Sequence, residues 1–230
     1  MELDLAFGQL YEHVREHFAA ADGCHDFDHT LRVMRNAEKL LAAQPEANRE
    51  AVRFSALLHD IGRVHETFTG KAPNHAERGA AEADRLLSEM EFPEQLKNLI
   101  VDAVRRHRYR GKMPPVTIEA KILFDADKLD SLGAVGLGRS FLFAGKLGAR
   151  VHNTADEALA GEPYSKEDTC YREYLVKLRH IPERLFTAEG RKLAAERLTF
   201  MQNFFSELDR ELTTEPAAHP ANPVSASNTQ

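Results

Sequence analysis

VRFSALLHDI, residues 52–61, is apolar nearly all the way round a helical wheel and ends on His59-Asp60. A helix with apolar side chains on every face belongs inside a protein, so this segment predicts a central, buried helix. The flanking segments read the same way. Upstream, Leu31, Met34, Ala37 and Leu41 recur at three-to-four spacing, and so do Leu3, Phe7, Leu10, Val14 and Phe18. Each set marks one face of an amphipathic helix, and Pro45 separates the Leu31–Leu41 one from the central helix. Downstream, Gly62–Pro73 reads as a loop, and Asn74 as the N-cap of a helix through Gly79, Ala83, Leu86 and Met90. Pro93 opens a helix with Leu96, Leu99, Ile100, Ala103 and Val104 inward, where proline is tolerated. Pro114-Pro115 then precedes a helix capped near Thr117.

The C-terminal third is harder to read. Gly133–Gly148 is glycine-rich, which weakens a helical assignment. Ser165-Lys166-Glu167-Asp168 resembles a capping box for a helix reaching about His180. Thr187 starts a long helix carrying Leu193, Leu198, Met201, Phe205, Leu208 and Leu212. From about Thr214 the sequence is Pro, Ala, Ser and Asn without periodicity, which predicts a disordered tail over 214–230. No long alternating pattern suggests a strand. The expectation is an all-α fold, one domain over 1–213.

Composition narrows the function. The chain has 230 residues, 43% hydrophobic and 29% charged, an ordinary globular balance. No run approaches the roughly 18–20 apolar residues that cross a membrane. The N-terminus carries early acids rather than a basic segment followed by an apolar one, so a cytoplasmic protein is expected. Cys24 and Cys170 lie far apart, which suggests neither a disulfide framework nor a thiolate metal site. The net charge of -6 makes nucleic acid an unlikely partner. An anionic ligand therefore needs local positive charge or a metal.

Histidine carries the chemistry. Six of the 11 fall at 25, 29, 59, 65, 75 and 107. His59-Asp60 closes the apolar run, where two adjacent side chains can clasp one ion at a helix end. The competing reading is a helix C-terminus with a solvated carboxylate. In KILFDADKLDSLG, Asp127 and Asp130 share a helical face at i, i+3, and Asp127 is a candidate ligand. Asp125 points roughly the other way and reads as part of an exposed acidic face. In HDFDHT, His29 sits near a helix start, with Asp26 or Asp28 available to cap the helix or orient a ring. GAVGLG at 133–138 follows a helix rather than a strand, so it reads as close helix packing, not a nucleotide loop. Leu137, Phe141, Phe143 and Leu147 fit either core or a dimer face.

The phrases GCHDFDHTLRV, ALLHDIG, NHAERGA and KILFDADKLDSLGAVG, in that order, resemble the HD-domain phosphohydrolases, and their small single-domain bacterial branch in particular. The spacing is 30 residues from His29 to His59 and 67 from Asp60 to Asp127. The likeness covers about residues 23–150. It implies a helical bundle with a metal site between central helices, and His29, His59, Asp60 and Asp127 as ligands of one divalent transition metal. Two imidazoles and two carboxylates suit Mn, Fe, Co, Ni or Zn, with Mg possible. By the same resemblance, His75, His107 and Lys128 face substrate phosphates or move protons, and Asp60 is catalytic as well as a ligand. A second metal at His75 and His107 stays open. Arg108 lies in the basic run Arg105, Arg106, Arg108, Arg110 and Lys112, which can grip phosphate. Asp130 either orients Lys128 or a ligand, or forms a plain salt bridge.

The function this implies is metal-dependent hydrolysis of a small phosphorylated metabolite, with nucleotides foremost. Cleavage of a nucleoside triphosphate to monophosphate and pyrophosphate is favoured. The alternatives are a nucleotidase or phosphodiesterase on the same site, an HD-type di-iron oxygenase, and a nucleotide-binding sensor with little turnover. A structural zinc protein is the blandest rival. The oligomer is monomer or homodimer.

Overall fold

The computed structural model describes residues 2–19, 26–63, 75–109 and 113–213. His25, His65, Asn74, Arg110, Lys112 and the 214–230 tail lie outside them, as does Cys24. Among the described residues every regular element is helical. In order they are α1 (Leu3–His17), α2 (Phe27–Leu41), α3 (Arg49–Leu58), a 3-10 turn (Ile61–Arg63), α4 (His75–Glu89), α5 (Glu94–Arg106) and α6 (Ile118–Leu129). Then come α7 (Gly133–Lys146), α8 (Ala155–Ala160), α9 (Cys170–Val176), a second 3-10 turn (Leu178–His180), α10 (Ile181–Arg184) and α11 (Ala188–Thr213).

Short polar side chains set several starts. Asp26 accepts the amide of His29, Asn48 that of Ala51, and Thr117 that of Ala120. Such a cap contributes about 1 kcal/mol to its helix. The central segment is buried as its sequence demands: Val52, Phe54, Ala56, Leu57 and Leu58 are fully enclosed. Helices α2, α3, α5 and α6 pack on one another, with α4 against α5. Two apolar clusters result. One joins α1, α3, α4 and α5 around Phe7, Phe54, Leu87 and Ile100. The other joins α2, α6 and the C-terminal helices around Leu40, Phe124, Leu129 and Met201. Helices α3 and α5 contribute to both.

Two expectations need correcting. Ser165–Asp168 does not cap a helix. The Asp168 carboxylate accepts the Tyr164 amide and pairs with Arg172, while Thr169 caps α9, which ends at Val176. Asp125 is not on an exposed face. It is fully buried and accepts the amides of Phe186 and Thr187 and the Thr187 hydroxyl, tying α6 to the start of α11. Burial still pushes the Asp125 carboxyl up, with those bonds opposing. The glycine-rich segment is a full helix, α7. Its close packing holds at Gly136, where a Cβ would lie 2.2 Å from the Ser131 carbonyl oxygen, whereas Gly138 faces open space. Leu137 is core; Phe141 and Phe143 are half-buried.

Candidate metal centre

Four helix ends and one helix face converge. His29 comes from the first turn of α2. His59 and Asp60 follow the last residue of α3, His75 opens α4, His107 follows α5, and Asp127 lies in the last turn of α6. His29, His59, Asp60, His75 and His107 are almost completely buried, and Asp127 keeps 17% of its side chain exposed. These are the residues the sequence nominated, from positions as far apart as 29 and 127.

Their ring nitrogens are sorted by the backbone. His59 Nδ1 lies 2.8 Å from the Ala56 carbonyl oxygen, and His107 Nδ1 lies 2.6 Å from that of Val104. A carbonyl can only accept, so each Nδ1 carries the proton and each Nε2 keeps a lone pair. His29 Nδ1 lies 2.7 Å from Asp130 Oδ2, which fixes its tautomer the same way. All three Nε2 atoms point into the centre. His29 Nε2 and His59 Nε2 are 3.2 Å apart, and Asp127 Oδ1 is 3.5 Å from His29 Nε2. Asp60 divides its oxygens between two neighbourhoods. Oδ2 lies 3.6 Å from both His29 Nε2 and His59 Nε2. Oδ1 lies 3.3 Å from His107 Nε2 and 3.7 Å from His75 Nε2.

Two groups are thus able to hold a cation: His29, His59 and Asp127, and Asp60, His75 and His107. The chemistry fits a divalent ion. Imidazole lone pairs and carboxylates converge within 4.8 Å in each group. Nε2 of His107 is buried and makes no hydrogen bond among the described residues, although Asp60 lies near it. A buried lone pair without a donor is unfavourable, and a cation satisfies it. The Nδ1 anchors on carbonyls and on Asp130 are the outer contacts that orient metal-binding histidines.

Electrostatics keeps the set in ligand form. Burial lowers the His59 pKa to about 4. Burial and the nearby Arg63 lower that of His75 to about 2. Both rings are neutral at pH 7. Burial alone would raise the Asp60 carboxyl, but Arg63 and His59 outweigh it and hold it well below the usual range. Lys128 and His29 do the same for Asp127. His29 differs: burial opposes its charge, yet Asp127 and Asp130 raise its pKa.

The surroundings are cationic. Lys128 Nζ is 2.6 Å from Asp127 Oδ2, as the helical step suggested. Arg63 Nε is 2.7 Å from Asp60 Oδ2. Arg32 and Arg139 flank the Asp130 carboxylate at 2.8 and 2.7 Å. Arg106 turns away to Asp102, and Arg105 lies 3.5 Å from Glu77. Arg108 is half-buried beside the centre, where its charge helps depress His75. Sequence reasoning missed Arg63, Arg32 and Arg139. The one available signal was Arg63 standing three residues after Asp60. Arg32 and Arg139 carry none, because only the tertiary fold brings them to Asp130.

Residues 26–132 match the HD domain family. The structure resembles that of a predicted HD superfamily hydrolase from an uncultured Thermotogales bacterium, with TM-score 0.63 and 31% identity over 89% of this chain and 91% of that one. It is also similar to the uncharacterized protein YpgQ of Bacillus subtilis (strain 168), 29% identical over 192 residues, 82% of this chain and 84% of that protein. YpgQ in complex with ADP shares the fold, with TM-score 0.70 and 24% identity over 93% of this chain and 98% of that one. The buried His-Asp centre between helix ends and these likenesses define one class. The chain belongs to the HD superfamily of hydrolases. Among the described residues no helix is long and apolar enough to cross a membrane.

Proposed function

We propose that the protein is a metal-dependent phosphohydrolase whose substrate is a nucleotide, with nucleoside triphosphate converted to monophosphate and pyrophosphate. The observation that carries this reading is the shared carboxylate of Asp60, which faces one His-Asp group through each oxygen, with Lys128 alongside. His29, His59, Asp60 and Asp127 hold the principal ion; His75 and His107, with Asp60, offer a second position. When bound, a divalent cation supplies Lewis acidity toward a phosphate oxygen and acidifies water. The chain's own groups do the rest. Lys128 and Arg108 meet the negative charge of the phosphates. His75, neutral at pH 7, accepts a hydrogen bond or a cation through its lone pair; with a pKa of about 2 it neither delivers a proton as an imidazolium nor serves as a general base. His107, with its Nδ1 proton committed to Val104, presents Nε2 in the same sense. Water oxygen forms the new bond to the α-phosphorus, the bridge to the β-phosphate breaks, and pyrophosphate leaves, with the water's protons passing to the leaving phosphate oxygen and to solvent. The ADP complex of YpgQ supports a nucleotide over other phosphorylated metabolites.

The second group is also the observation that favours the di-iron oxygenase alternative, so the test is by product. Protein stripped of metal is given Mn, Mg, Co, Ni or Zn separately, with a panel of nucleoside tri-, di- and monophosphates. Pyrophosphate plus monophosphate, dependent on metal and abolished in His59→Ala, is the expected result. Free phosphate from monophosphates moves the protein to nucleotidase chemistry. No turnover with any pairing overturns the hydrolase reading and leaves the oxygenase and sensor ones.

A further inference from the structure

Arg63 ends the 3-10 turn that leaves the central helix, three residues after Asp60. Its Nε lies 2.7 Å from Asp60 Oδ2, and its side chain is only 22% exposed. That oxygen is also the one turned toward His29 Nε2 and His59 Nε2, 3.6 Å from each. A guanidinium and a divalent ion in the first His-Asp group therefore claim one carboxylate oxygen, and they repel each other across it. Arginine cannot relieve this by losing its proton. Two arrangements remove the conflict: Arg63 withdraws from Asp60, or an anion arrives that both cations can share.

We propose that Arg63 is a gate on this centre: it competes with the cation for Asp60 Oδ2, and it moves to the substrate's phosphate when both are bound. The inference rests on the metal reading given above and extends it to the order and linkage of binding. Guanidinium is suited to the second role, because its planar fork matches two oxygens of a phosphate. The charge inventory agrees. Asp60 and Asp127 are offset by Arg63 and Lys128 before any metal is counted, so a divalent ion leaves this core positive and an anion completes it. The consequence is reciprocal linkage. Phosphate raises cation affinity, and the cation raises phosphate affinity by the same factor. Arg63 is a binding and positioning residue here, and its signature is a change of opposite sign in the two halves of the cycle.

The experiment is calorimetric titration of Mn into the wild type, Arg63→Gln and Arg63→Lys, each with and without saturating inorganic phosphate. Removing the competing charge is expected to tighten Mn binding in Arg63→Gln by about tenfold without phosphate, toward the lower end of the usual range for linked sites. In the wild type phosphate tightens Mn binding; in Arg63→Gln that gain is reduced or lost. Arg63→Lys, which keeps the charge, stays close to wild type in the absence of phosphate. Mn binding by Arg63→Gln that is unchanged or weaker overturns the gate and makes Arg63 a structural partner of Asp60. A wild type that binds no Mn overturns the metal reading itself, a separate outcome. Circular dichroism of each variant confirms that it is folded.

Discussion

Asp130 shows how much of the centre depends on one residue that need not touch the metal. Its carboxylate accepts a hydrogen bond from the Nδ1–H of His29 and is itself fixed by Arg32 and Arg139, so it sets the ring's tautomer and direction. Asp130→Asn keeps the shape but can present its amide nitrogen to Nδ1, which favours the wrong tautomer. We expect Mn affinity to fall by roughly 10- to 100-fold, the usual cost of losing such an outer contact, with the helical spectrum unchanged. Titration calorimetry decides it, and unchanged affinity would show that His29 is held by packing alone. The histidines also predict a pH response. His59 and His75 have folded pKa values depressed to about 4 and about 2, against about 6.5 unfolded. Between those limits the unfolded chain binds more protons, so stability is full above about pH 6.5 and is lost as pH falls toward 4. Asp60 and Asp127, depressed as well, extend the loss at lower pH. His29, raised, acts in the opposite sense but is one ring against two. Thermal melts of chelator-treated protein should therefore show the midpoint dropping from pH 7 to pH 4. A flat profile would mean these rings are solvated.

At the scale of elements, the centre exists because helix ends meet closely, and glycine permits one of those meetings. A Cβ on Gly62 would lie 2.3 Å from the His75 carbonyl oxygen and 2.5 Å from the Gly79 nitrogen. Both contacts are to backbone, so Gly62→Ala must push α4 away from the turn that follows Asp60. The expected result is a loss of about 1–3 kcal/mol in a denaturant melt, the usual cost of overpacking. A second element contact predicts a cost without a metal effect. Asp125→Ala leaves the amides of Phe186 and Thr187 without their acceptor at the α6–α11 junction, a loss of about 1–3 kcal/mol. These two positions also mark where sequence stops being legible. The core-facing residues of the α2 and α5 segments follow helical periodicity and the α3 segment is apolar nearly all round, so local pattern reveals the core. His29, His59, Asp60 and Asp127 stand out locally as candidates beside helix ends, and the family resemblance is what groups them as ligands. Asp125 looks like one more acid between lysines, because its partners lie some 60 residues away and are backbone amides. Gly62 looks like loop punctuation, because what it admits is α4. The Asp130–Arg139 pair is hidden for the same reason: tertiary contacts between polar groups leave no periodic trace.

Over the whole molecule, two apolar clusters on helices α3 and α5 hold the fold, and the His-Asp centre lies at the ends of those helices rather than within either cluster. This arrangement bears on what metal removal does. In a protein folded by its metal, the ligands substitute for a core, and chelation unfolds the chain. Here Phe54, Leu57, Leu58, Phe124, Leu129 and Met201 are fully buried in apolar clusters that include none of the candidate ligands. The centre instead brings carboxylates together and offsets them with Arg63, Lys128, Arg32 and Arg139, although the chain as a whole carries -6. Local cations in an acidic protein have a local purpose, and they also limit the repulsion that would otherwise open the centre when no metal neutralises it. Stripping the metal should therefore leave the far-ultraviolet spectrum at 25 °C unchanged. It should lower the melting midpoint only by the binding energy forgone. At a free metal concentration about 100 times Kd that energy is about 2.7 kcal/mol. For a chain of this size it corresponds to roughly 5–10 °C. Loss of the helical spectrum on chelation at 25 °C would contradict this, and it would make the His-Asp centre a structural element of the fold rather than a site carried by it.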